Sequence, residues 1–114
     1  MVALGIVDDE PDILKLFNIV LRRNGYPVAY MASNGVEAVE LNHKTPADVV
    51  FMDYIMPFKD GIDAAREILS EHPQTKVFLM TCGEDLEGQM NGLGNVTVIK
   101  KPFPLKSILT MLKR

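Results

Sequence analysis

The sequence has one cysteine, Cys82, so no internal disulfide can staple the fold. It has no apolar run approaching the ~20 residues of a membrane span. It also lacks a basic excess: the net charge is −3, whereas nucleic-acid-binding domains are usually markedly basic. No repeat, low-complexity segment or linker interrupts it. No signal peptide is recognisable, so a cytoplasmic setting is expected. What is present, 114 residues of which 47% are hydrophobic, suffices for one core. A single domain over residues 1–114 is expected.

Short apolar runs alternate with segments of helical periodicity, the pattern of βα units on a parallel sheet. The first strand is expected at Ala3 to Val7. A helix starts near Pro11 with Ile13, Leu16, Phe17, Val20 and Leu21 on one face, and Gly25 closes it. A short, mixed strand at Val28 to Met31 suits a sheet edge. Asn34 with Glu37 is a capping-box pattern opening the second helix, and Pro46 follows its end. The third strand, Asp48 to Met52, is apolar without alternation, as when both faces are covered. Asp60 caps a third helix with Ile62, Ala65, Ile68 and Leu69 inward, and the fourth strand is Lys76 to Met80.

Gly83, Gly88, Gly92 and Gly94 follow closely. Each glycine inside a helix costs about 1 kcal/mol relative to alanine, so a fourth helix near Glu84 to Asn91 should be short or irregular. A fifth strand spans Val96 to Ile99. Pro104 opens a last helix with Leu105, Ile108, Leu109 and Leu112 inward, and Lys113 and Arg114 suit its negative end. The expected fold is α/β: five βα units in a three-layer, doubly wound sandwich. Its five-stranded parallel sheet takes the flavodoxin-like order 2-1-3-4-5, with strands 1 and 3 adjacent at the switch point.

Four apolar runs end on polar residues: GIVDDEP from Gly5, VVFMD from Val49, VFLMT from Val77 and VTVIKKP from Val96. In a parallel sheet these endings share the carboxyl edge, where ligands bind. Asp8, Asp9 and Asp53 would converge there. Two carboxylates about 5 Å apart repel by roughly 3 kcal/mol at an effective dielectric near 20, and one lysine cannot compensate three acids. Oxygen ligands suit Mg²⁺, which keeps positions open for water or phosphate. Helix capping could account for Asp8, Asp9 and Glu10, but not for Asp53. Asp60 and Gly61 read as the entry to the third helix; Met56 and Pro57 shape the preceding loop. Cys82 reads as a small buried hydrophobe, and His43 and His72 as surface residues without partner ligands. The scattered methionines read as core filler.

The motifs VDDEP at residues 7–11, MDYIMPFKDG at 52–61, MT at 80–81 and KPF at 101–103 resemble, in order and spacing, the receiver domain of two-component response regulators. The resemblance covers essentially the whole chain. It implies that Asp53 is the phosphoacceptor, taking a phosphoryl group from a sensor histidine kinase or phosphotransfer protein. It implies Mg²⁺ ligation by Asp9, Asp53 and the carbonyl of Ile55, with Asp8 acting directly or through water. Thr81 matches the switch hydroxyl and Lys101 the lysine that pairs with acid and phosphoryl group; Lys100 is the competing choice. The Lys101–Pro102 bond resembles one that is cis in the family. The implied partners are that kinase and a downstream effector or attached output domain, without direct nucleic-acid contact or membrane insertion.

Two departures stand out. Receivers commonly carry tyrosine or phenylalanine three residues before the lysine; here the residue is Val98, which unsettles the usual coupling to Thr81. The stretch between Thr81 and Lys101 is also short and glycine-rich, so output is expected to use ordering of Gly83 to Gly94. Two other functions fit part of the pattern. A metal-dependent aspartyl phosphohydrolase would need an acid two residues after the nucleophile, where Ile55 stands. A receiver-like module that is never phosphorylated would not need the full set of acids, hydroxyl and lysine. On the favoured reading the domain is no enzyme towards a separate metabolite; it transfers phosphoryl to itself and dephosphorylates itself.

Overall fold

The computed structural model describes residues 2–102 and 104–113, apart from the side chain of Glu87. Phe103 of the KPF motif and Arg114 of the helix end therefore lie outside the described residues. The elements run β1 (Leu4–Val7), α1 (Pro11–Arg23), β2 (Val28–Ala32), α2 (Gly35–Lys44), β3 (Val49–Asp53), α3 (Gly61–Glu71), β4 (Lys76–Thr81), a 3₁₀ turn (Glu87–Met90), β5 (Val96–Lys100) and α4 (Leu105–Leu112). All neighbouring strands pair in parallel, in the order β2-β1-β3-β4-β5. The expected topology is thus present, with four α-helices. The fourth crossover carries only the 3₁₀ turn where a helix near Glu84 to Asn91 was expected, in keeping with its glycines.

Local chemistry sets the helix ends. After α1 the chain reverses through Gly25 at φ +83, with Tyr26 N–H donating to the Leu21 carbonyl and Gly25 N–H to that of Arg22. That paired closure needs a left-handed residue, which glycine adopts without a Cβ penalty. Asn34 Oδ1 accepts from Glu37 N–H at 2.8 Å, and the Glu37 carboxylate accepts from Ser33 N–H at 3.0 Å. Asp60 Oδ1 likewise accepts from Asp63 N–H at 2.9 Å and starts α3.

Two apolar cores lie on the two sheet faces. Phe17 and Leu21 of α1 and Ile108 of α4 pack on Leu4, Ile6, Phe51 and Met80. Ala38 of α2 and Ala64, Ala65, Ile68 and Leu69 of α3 pack with Val7, Val50, Met52 and Val77. Phe51 and Met52 thus serve opposite cores, which is why β3 reads as apolar throughout. Leu16 departs from the expected α1 stripe. It is 47% exposed, and Leu14 joins the core edge in its place.

Phe51 is fully buried between Phe17, at 6.1 Å between ring centroids, and Phe78, stacked at 5.1 Å. Phe51→Ala is expected to cost about 3–5 kcal/mol, through lost burial and the cavity left behind. Urea denaturation monitored by circular dichroism measures this; a loss under 1 kcal/mol would show that the aromatic stack is not a mainstay of the core.

Candidate functional site

β1 and β3 are neighbours, and the chain leaves both at the carboxyl edge. Asp8 follows β1 directly, and Asp53 ends β3 opposite Met80 of β4. Thr81 ends β4, opposite Lys100 at the end of β5. Lys101 N–H donates to the Thr81 carbonyl at 2.6 Å, carrying the ladder one residue further and bringing the Lys101 side chain to the rim. The Lys101–Pro102 bond is cis, as the resemblance implied.

Lys101 Nζ lies 3.1 Å from Asp53 Oδ1 and 3.5 Å from Asp8 Oδ2. Sequence left Lys100 and Lys101 as competitors; the structure brings Lys101 to the acids and leaves Lys100 exposed. Carboxylate oxygens of Asp8, Asp9 and Asp53 lie within 4.8 Å of one another. Asp8 is fully buried. Its Oδ1 accepts from Glu10 N–H at 3.0 Å, whereas its Oδ2 has no hydrogen-bond partner. An unsatisfied buried carboxylate oxygen is costly, and Lys101 compensates only part of the cluster's charge.

The proton affinities agree with an excess of negative charge. Partial burial holds the Asp53 carboxyl above its ordinary value. The Lys101 hydrogen bond and charge pull it down, and Asp8 and Asp9 push it up again. Burial works against the Lys101 ammonium, but Asp53 and Asp8 outweigh it and hold that group above its usual range.

A cavity of about 230 Å³ opens over these groups. Asp9, Asp53, Ile55, Thr81 and Lys101 line it, together with Glu10, Tyr54, Met80, Cys82 and Glu84. Thr81 is buried, and its Oγ1 accepts from Gly83 N–H at 3.4 Å. Val98 is not at the rim: it pairs with Leu79 in the sheet and is 42% exposed.

Several residues differ from the sequence reading or escaped it. Cys82 is exposed, not buried: it has already left β4 and its N–H is taken by Glu84 Oε1 at 2.9 Å. Glu84 and Tyr54 were not anticipated at the pocket; the only signal for them was adjacency to Thr81 and Asp53. Tyr54 Oη donates to Gln89 Oε1 at 3.3 Å, and Arg66 holds the carbonyls of Gln89 and Asn91 at 2.9 and 3.3 Å. These bonds pin the short 3₁₀ segment to β3 and α3. His43 and His72 both contact Glu71 Oε1, at 2.8 and 3.0 Å, and among the described residues neither joins a metal-ligating group, as expected.

The family model described as "Response regulator receiver domain" matches residues 4–113. The chain belongs to the receiver domains of two-component response regulators. It is 29% identical over 114 residues to the Mycobacterium tuberculosis protein named "Probable transcriptional regulatory protein TcrX", covering 98% of this chain and 48% of that one. It is 36% identical over 102 residues to protein-glutamate methylesterase/protein-glutamine glutaminase 3 of Hahella chejuensis, covering 85% of this chain but 29% of that protein. The chain therefore spans about half or less of these curated relatives. Among solved structures, the Vibrio cholerae chemotaxis protein CheY4 superposes with a TM-score of 0.86 at 25% identity, covering 100% of this chain and 98% of that one. The BeF3-activated DrrB receiver domain gives 0.80 at 28% identity, covering 100% and 96%. Among the described residues, no helix is long and apolar enough to cross a membrane.

Proposed function

We propose that Asp53 accepts a phosphoryl group from a protein phosphohistidine and that the domain thereby switches partners. The observation that carries this reading is the convergence of Lys101 on Asp53 and on the buried Asp8 Oδ2, which has that ion pair but no hydrogen bond. The donor set, all carboxylate oxygen and short of positive charge, fits a hard divalent cation. Asp8, Asp9, Asp53 and the Ile55 carbonyl would hold Mg²⁺, which supplies charge neutralisation and a template for the phosphoryl oxygens.

The chain's own residues account for the rest. An Asp53 carboxylate oxygen forms a bond to phosphorus as the P–N bond of phosphohistidine breaks, and the imidazole leaves as a neutral group after protonation. Lys101 holds Asp53 before transfer and pairs with a phosphoryl oxygen afterwards. Thr81 Oγ1 exchanges its bond from Gly83 N–H for one to the phosphoryl group. Val98 is too small to follow Thr81 as an aromatic ring would, so the switch reaches the surface through residues 83–94. Unphosphorylated and phosphorylated states then differ in their contacts to a partner, which is all a population switch requires. On this reading the domain acts in the cytoplasm and catalyses only its own phosphorylation and dephosphorylation, for a downstream effector or attached output domain.

Acetyl phosphate with Mg²⁺, followed by intact mass, tests the reading. One added phosphoryl group is expected, and none with chelator; labelling that persists in chelator would reject the metal's role. Magnesium binding should also show in stability. At one hundred times its dissociation constant a ligand adds about 2.7 kcal/mol, or about 10 °C in a domain of this size. The sign of the pH dependence follows from Asp53, whose folded-state proton affinity is raised above the ordinary value of 3.8. The stability from its protonated form is complete below that value and is lost as pH rises through the raised one. Calorimetry should find the metal's stabilisation smaller at pH 4 than at pH 7, because a protonated Asp53 is a poor ligand. Equal stabilisation at both would place the cation elsewhere.

A further inference from the structure

The loop between β3 and α3 carries an aromatic ring from which the fold gains nothing. Among the described residues, Phe58 is the only non-glycine with positive φ, at 71°. Lys59 N–H donates to the Pro57 carbonyl at 2.8 Å, so a three-residue turn closes around Phe58. A turn of this kind with positive φ is rare and crowds an L side chain against its own backbone. Phe58 is 87% exposed and recovers little burial in exchange.

The turn cannot relax easily. Gly35 of α2 packs on it so closely that a Cβ there would lie 2.8 Å from the Lys59 carbonyl carbon and closer still to its oxygen. At its ends, Tyr54 N–H donates to Met80 and Gly61 N–H to the Tyr54 carbonyl, at 2.9 and 2.8 Å. Met56 is buried beneath it. Strain held in place by its surroundings in this way is characteristic of binding sites. The same loop presents Ile55, which lines the acidic pocket and is 61% exposed.

We infer that Phe58, with Ile55, is the apolar anchor on which the protein phosphodonor docks. The inference rests on the receiver reading of Asp53. Asp53 and Ile55 line the same open cavity, so a protein donor that reaches Asp53 through its mouth covers Ile55. Three residues span at most about 11 Å, which bounds the distance from Ile55 to Phe58. A docked protein covers about 800 Å² of each partner, a patch of roughly 16 Å radius. Phe58 therefore falls inside the footprint of any protein centred on the mouth. An effector is under no such constraint, because it can read the switched state from another face. The donor should present an apolar socket beside its phosphohistidine, and a rigid exposed aromatic is the kind of residue that carries much of an interface's energy.

The test compares a protein donor with a small one. Autophosphorylated histidine kinase cores are screened as a panel, and the core that labels wild type fastest is used for the variants. Acetyl phosphate with Mg²⁺ is the small donor. Phe58→Gly and Phe58→Asn both tolerate positive φ without the ring. Each is expected to lose about 30-fold in kcat/KM from the kinase core. Labelling by acetyl phosphate should stay within about twofold of wild type, and the thermal midpoint should hold or rise. Kinase transfer within about threefold of wild type in both variants would overturn the inference. So would equal losses with both donors, since the turn would then shape the pocket and not the docking. A wild type labelled by acetyl phosphate but by no core overturns it too. A wild type that acetyl phosphate cannot label overturns the receiver reading itself, and does so before any Phe58 variant is made.

Discussion

Asp53→Asn is expected to gain no mass after acetyl phosphate and Mg²⁺, under conditions where wild type gains one phosphoryl group. The amide is nearly isosteric and keeps the end of β3 intact, but it has no carboxylate oxygen to form an acyl phosphate. The loss should be complete. The variant should also be the more stable of the two at pH 7 without metal, since it removes one charge from a cluster in which three carboxylates share the Lys101 ammonium. These two outcomes separate chemistry from folding: lost labelling with raised stability cannot be ascribed to a damaged domain. Labelling of Asp53→Asn equal to wild type would move the acceptor to another residue.

Gly61→Ala should be nearly as damaging to phosphorylation although residue 61 contributes no side chain to the site. A Cβ there would lie 2.7 Å from Leu79 Cδ1 and 3.0 Å from Tyr54 Cα, and nearer still to the Asp53 carbonyl oxygen. The closest neighbour is backbone, so rotamer changes cannot relieve the clash, and overpacking of this sort costs about 1–3 kcal/mol. Either α3 moves out or the end of β3 moves in. Both displace Asp53 relative to Lys101, and a misplacement of about 1 Å can cost roughly 100-fold in rate. Stopped-flow or time-resolved mass measurements with acetyl phosphate should show that drop, while circular dichroism still reports a folded domain. A wild-type rate in Gly61→Ala would mean that the acceptor strand is not held by this contact.

Most of the architecture is legible in residue pattern. The Asn34 and Asp60 caps and the Gly25 reversal are local instructions, each satisfied within a few residues of the chain, and the unbroken apolar runs of β1 and β3 mark strands covered on both faces. That explains why the five strands fall within one residue of expectation, while the glycine-rich fourth crossover carries a 3₁₀ turn in place of a helix. It also explains where expectation failed. Whether Leu16 or Leu14 faces the core depends on how α1 rolls against α4 and the sheet, and both are apolar. Whether Cys82 is buried depends on where the loop after Thr81 departs, a matter settled by Glu84 and Gly83.

By itself, the sequence determined the βα alternation, a doubly wound parallel sheet and the kinds of polar group delivered to one edge, because these follow from periodicity and from the handedness of crossovers. Only the tertiary structure decided which lysine meets the acids, that a buried Asp8 oxygen has no hydrogen bond, that Gly61 backs Asp53 and that Phe58 stands exposed on a strained turn. The reason is physical: these features depend on how separate segments pack, where distances are fixed to within about an ångström, and residue pattern alone does not carry that information.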